Sequence, residues 1–144
     1  MDIIICKLRY PNDPTNNVNA HQHFVGFCSE ETITLYSVSS VIGKEKRVFD
    51  SSNTPKEEYY LIQGQEQTDC SLRVPSFIDC TKSYRIQLNT QMDITKLTNR
   101  NIPSGIKNKI LDKINKMNEK SKSTVYYINV SDFIQNNPII DIKK

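Results

Sequence analysis

The chain reads as a mainly β protein, an antiparallel barrel carrying one main helix in its C-terminal half. Three observations lead there. Apolar stretches in the first two-thirds are short and closely spaced, and they return without intervening helices, which favours antiparallel pairing over a parallel sheet. The hydrophobic period switches to a helical one only once, near residue 104. At 144 residues the chain suits a single domain, residues 1–144, with a core of its own.

Each element has its own signal. "DIIICKLRY" (2–10) reads as a buried strand, and "PNDPTNNVNA" (11–20), with two prolines and four asparagines, as a loop. "HFVGFC" (23–28) and "TITLYSV" (32–38) read as two strands joined by a hairpin at "SEE". After a loop at 39–57 come "YYLIQ" (59–63), a polar break, and "VPSFIDCTKSYRIQL" (74–88). In "NIPSGIKNKILDKINKMNEK" (101–120), Ile106, Ile110, Leu111, Ile114 and Met117 share one face, predicting a helix over 104–119 with Ser104 as its cap. "STVYYINV" (123–130) is a last strand, followed by a short tail with Pro138.

Composition excludes several classes. No apolar run approaches eighteen residues, and the opening is too short and too acidic for a signal peptide, so a cytoplasmic protein with no membrane partner is expected. The four cysteines, Cys6, Cys28, Cys70 and Cys80, form no CxxC pair, and no His cluster has metal spacing. Reduced packing cysteines, no metal site and no cofactor follow. Net charge is only +3, but it is segregated. Residues 96–122 hold eight cations against Asp112 and Glu119, whereas acids gather at Glu30–Glu31 and Glu57–Glu58.

Three stretches offer chemistry. In "VSSVIGKEKR" (38–47), Ser39 and Ser40 precede Gly43, Lys44, Lys46 and Arg47, and hydroxyls beside ammonium groups can share the charge of a phosphate. The plain alternative is a solvated turn. "HQH" puts His21 and His23 on one strand face; two histidines do not complete a zinc site, but an imidazole suits proton transfer near neutrality. "PSFIDCTKSYRI" (75–86) carries Asp79, Thr81, Lys82, Ser83 and Arg85, a run as fitting for an edge strand as for the rim of a site. Lys109, Lys113 and Lys116 on the polar helix face are candidate phosphate contacts, or simply solvated.

These motifs together resemble the PemK/MazF superfamily of toxin endoribonucleases. "VSSVIGK" (38–44) is similar to that family's strand end followed by a lysine loop. "VPSFIDCTKSYRI" is similar to its proline-initiated strand with a polar motif, and "NRNIPSGI" (99–106) to its segment entering a helix. The resemblance covers roughly residues 2–118. It implies an SH3-like antiparallel barrel and metal-independent cleavage of single-stranded RNA by attack of the ribose 2′-OH. It also implies a cognate antitoxin, protein or small RNA; a homo-oligomer is compatible with it. On this reading Ser40 and Lys44 stabilise the phosphorane and Lys82 is a second cation. His23 transfers the proton, standing where the family has an arginine, and Ser39 and Thr81 orient the phosphate. Lys46, Arg47, Arg85, Lys109, Lys113 and Lys116 then bind RNA. The competing expectation is a non-catalytic SH3-like module that holds RNA or a peptide.

Overall fold

Strands β1 (Ile3–Arg9), β2 (Val18–Cys28) and β3 (Thr32–Ser40) form an antiparallel meander in the computed structural model, which describes residues 1–142. Next come a short helix α1 (Glu45–Val48), β4 (Tyr59–Ile62), α2 (Gln65–Asp69) and two successive strands, β5 (Ser76–Asp79) and β6 (Lys82–Gln87). A 3₁₀ turn (Ile94–Lys96), β7 (Asn99–Arg100), α3 (Ser104–Glu119), β8 (Thr124–Tyr127), α4 (Val130–Asn136) and a second 3₁₀ turn (Pro138–Ile140) complete the chain. The protein is thus mainly β, with four α-helices among the described residues.

The sheet has eight strands and does not close. Its main path is β4-β5-β3-β2-β1-β7, and it branches at β3. One edge of β3 is shared, with Thr32–Leu35 pairing to β6 and Val38–Ser40 to β5, so the sheet splits where a barrel would continue. A second departure is β8, which lies parallel to β6. Parallel neighbours need a long crossover, and the segment containing α3 provides it. The structure also divides "VPSFIDCTKSYRIQL" into two strands, starts β2 at Val18, and turns the tail into α4. Ser104 is the first residue of α3, preceded by Pro103 without a side-chain cap. At Gly26 the β2–β3 register shifts, and a Cβ there would lie 2.5 Å from the Tyr36 ring.

Strand alternation divides the core into two main layers. Ile3, Phe24, Tyr36 and Val38 face α3, meeting Ile106, Ile110, Ile114 and Met117. Ile4, Cys6, Leu8, Ile33, Leu35 and Tyr84 face the other way, toward Phe133 of α4. Ile110 is fully buried. Truncating it to alanine is expected to cost about 2–5 kcal/mol, read by denaturant unfolding; a loss under ~1 kcal/mol would mean α3 is not docked as described.

Asp2 ties the N-terminus to α3. Its carboxylate accepts the Ile102 N–H at 3.0 Å and pairs with Lys107 at 2.9 Å. Burial pushes its pKa up, but the Ile102 hydrogen bond and the Lys107 ammonium outweigh this and hold it below the ordinary 3.8. A depressed carboxyl contributes stability above its unfolded pKa, and the contribution fades as pH falls through the folded value. Asp2→Asn should therefore cost about 1–3 kcal/mol at pH 7. The deficit should shrink below pH 4 in pH-dependent melting. A deficit constant across that range would contradict the assignment.

Candidate active site

Ile33 and Leu35 point into the core from one face of β3. Two residues on, the same face becomes polar at Ser37 and Ser39, where the layer opens into a cleft of about 280 Å³. Ser39 pairs across the sheet with Phe77 of β5, which forms the floor. Phe77 is almost fully buried with Val41, Val48 and Tyr59, so the floor belongs to a packed apolar cluster.

Three cations reach this cleft from two segments far apart in sequence. Lys44 immediately precedes α1, and Arg47 lies within it, anchored by the fully buried Val48. The Lys44 ammonium sits 6.0 Å from the Phe77 ring centroid, and the Arg47 guanidinium 5.6 Å from it. Arg47 Nε also donates to Tyr59 Oη at 3.3 Å. Lys82 opens β6 and lies 3.7 Å from Asp79 Oδ2. Lys44 and Arg47 have no carboxylate partner among the described residues, so their charge is available to an anion.

Asp79 is oriented by the β5–β6 turn. Its Oδ1 accepts the Thr81 N–H at 3.0 Å and the Thr81 hydroxyl at 2.6 Å, while Oδ2 carries no hydrogen bond. Tyr10 and Tyr84 form the opposite wall, edge to face at 4.7 Å, and the Tyr84 hydroxyl donates to Asn12 of the β1–β2 loop.

The expected residues separate into two groups. Ser39, Lys44, Arg47 and Lys82 converge on the cleft. Ser40 does not: alternation points it to the other face, opposite Ser76, where its Oγ accepts the Ile42 N–H at 3.1 Å. Thr81 acts on Asp79, because its hydroxyl is already donated there. His23 is fully buried, and burial, with a smaller contribution from His21, pushes its pKa down to about 3. It touches no solvent and does not titrate near neutrality; its ring reaches the cleft through Tyr10, whose hydroxyl lies 2.5 Å from Nε2.

Arg85 faces the opposite side of β6, over the Tyr127 ring and beside Phe27 and Tyr36. Lys46 projects from α1 into a shallow depression outside the cleft. The helix lysines lie on α3, which packs on the face of β3 away from Ser37 and Ser39. Lys109 pairs with Glu66 at 3.0 Å, Lys113 donates to the Tyr59 carbonyl at 3.2 Å, and Lys116 stays exposed.

Sequence reasoning missed Tyr10, Ser37, Phe77 and Tyr84, and noticed Asp79 without assigning it a role. Alternation supplied a signal for two of them: Tyr10 continues the face of Cys6 and Leu8, and Ser37 that of Leu35. Among the described residues no group of three or more His, Cys, Asp or Glu side chains is placed to hold a metal ion. No helix there is long and apolar enough to cross a membrane. No protein-family model matches the sequence, and no curated protein matches it.

Proposed function

We propose that the protein is the toxin component of a toxin–antitoxin system, an endoribonuclease that cleaves single-stranded RNA by attack of a ribose 2′-OH on the adjacent phosphorus. One observation carries this reading: Lys44, Arg47 and Lys82 gather with the Ser39 hydroxyl around one cleft, with two of the cations unpaired. Such a group suits a phosphodiester whose negative charge grows in the transition state. Asp79 Oδ2, free of hydrogen bonds, accepts the 2′-OH proton. The walls of Tyr10 and Tyr84 offer aromatic surface to an unstacked base. The accompanying fold reading is an SH3-like core of the PemK/MazF kind, supported by the β1–β3 meander, the antiparallel pairing of β5 with β3 and β4, and the motifs at 38–44 and 74–86. A cognate antitoxin, protein or small RNA, is the expected partner in a cytoplasmic setting.

The test is incubation of the purified chain with single-stranded RNA in EDTA, followed by analysis of product ends. The expected products carry a 2′,3′-cyclic phosphate and a 5′-hydroxyl. RNA that is bound but left intact would replace this reading with that of a non-catalytic binding module.

A further inference from the structure

We propose that Tyr10 is the acid that protonates the departing 5′-oxygen, its phenol held in place by His23 and Ser37; this rests on the ribonuclease reading above. The evidence is a chain of polar groups that runs from the core to the cleft wall. Cys6 Sγ lies 3.5 Å from His23 Nδ1, His23 Nε2 lies 2.5 Å from Tyr10 Oη, and Ser37 Oγ donates to the same oxygen at 3.3 Å.

Register builds this chain. Ile4 pairs with His23 and Cys6 with His21, so β2 presents both imidazoles on the face that Tyr10 continues past the end of β1. His23 in turn pairs with Ser37 of β3. The Tyr10 ring lies 6.1 Å from the His21 ring and 6.0 Å from the His23 ring. Three strands thus surround one phenol.

The hydrogen-bond directions follow from which groups hold protons. Burial pushes the Cys6 thiol up to about 12, so Cys6 keeps its S–H and donates it to Nδ1. The imidazole, neutral in the core, then carries its own proton on Nε2 and donates it to Tyr10 Oη, a tautomer assigned from this network. With His23 and Ser37 both donating to the phenolic oxygen, its hydrogen is left to point into the cleft. Burial raises the Tyr10 pKa, partly offset by Ser37, so the phenol is fully protonated at neutral pH.

In the step itself, the 2′-oxygen bonds to phosphorus and its proton passes to Asp79. The P–O5′ bond breaks, its electron pair stays on O5′, and O5′ takes the Tyr10 proton. The phenolate left behind is stabilised by the two donated hydrogen bonds and by the cations Lys44, Arg47 and Lys82 that line the same cleft. The proton held by Asp79 returns to Tyr10 through water, and both side chains regain their starting states.

Comparing ordinary RNA with RNA carrying sulfur in place of the scissile 5′-oxygen tests this, because a thiolate departs without an acid. Tyr10→Phe should cut ordinary RNA about 10²–10⁴-fold more slowly, bind it with unchanged affinity, and cut the sulfur-substituted RNA at close to the parental rate. Ser37→Ala, which removes one donor and leaves the phenol, should show the same split at about a tenfold loss, the worth of one hydrogen bond. Equal losses on both substrates, or no loss on ordinary RNA, would overturn the acid role of Tyr10. A parent protein that cuts neither substrate would overturn the ribonuclease reading itself.

Discussion

Lys44→Ala and Arg47→Ala should each lower RNA cleavage by about a hundredfold or more, whereas Ser40→Ala should leave it unchanged. The magnitude is that of removing one preorganised donor from a developing oxyanion. Neither cation is a main support of the fold: Lys44 is exposed with no carboxylate partner among the described residues, and Arg47 contributes one long hydrogen bond to Tyr59 Oη and its contacts with the Tyr59 and Phe77 rings. The alanine variants should therefore melt within about 1 kcal/mol of the parent. Ser40 is the internal control, because it lies on the other face of the strand, where its oxygen accepts the Ile42 N–H. Binding gives a second readout. Each lost phosphate contact should flatten the dependence of log affinity on log salt by about 0.7 for a single strand. Lys109→Ala and Lys113→Ala should not change that slope, since both lysines are engaged within the fold and sit on α3. Full activity in the Lys44 and Arg47 variants would sink the assignment of this cleft.

The contrast between Ser39 and Ser40 shows where sequence reasoning holds and where it stops. Adjacent serines look interchangeable in composition, but a two-residue period does not treat them alike. Ile33, Leu35 and Ser37 already mark one face, and continuing it selects Ser39. The same rule separates Lys82 from Arg85 once β6 is known to be one unbroken strand. The helix over 104–119 was legible because its apolar stripe is long and regular. What stayed hidden depends on pairing between distant segments. The branching of the sheet at β3 and the parallel placement of β8 are decided by which strands share an edge, and no local period records that. His23 is the sharpest case. A histidine beside a polar loop reads as a surface residue, but its partners Ile4 and Ser37 enclose it from both sides.

Asp79→Asn should lower cleavage by about 10²–10⁴-fold, the range for losing a general base, while leaving the fold intact and RNA binding unweakened. The substitution is nearly isosteric. An amide oxygen in the place of Oδ1 still accepts from the Thr81 N–H and hydroxyl, so the β5–β6 turn keeps both of its hydrogen bonds. Only Oδ2 changes, becoming an NH₂ group that accepts no proton. Lys82, 3.7 Å away, loses its carboxylate neighbour and is freed to meet phosphate, so affinity should hold or rise. Single-turnover cleavage at saturating protein separates the two effects, because binding then drops out of the measured rate. Thr81→Ala probes the same carboxylate from behind. It removes the hydroxyl that fixes Oδ1 while keeping the Asp79 carboxylate, and should give a smaller, roughly tenfold, loss, the worth of one hydrogen bond. Cleavage by the Asp79→Asn variant at the parental rate would remove Asp79 from the chemistry and pass the 2′-OH proton to another acceptor in the cleft.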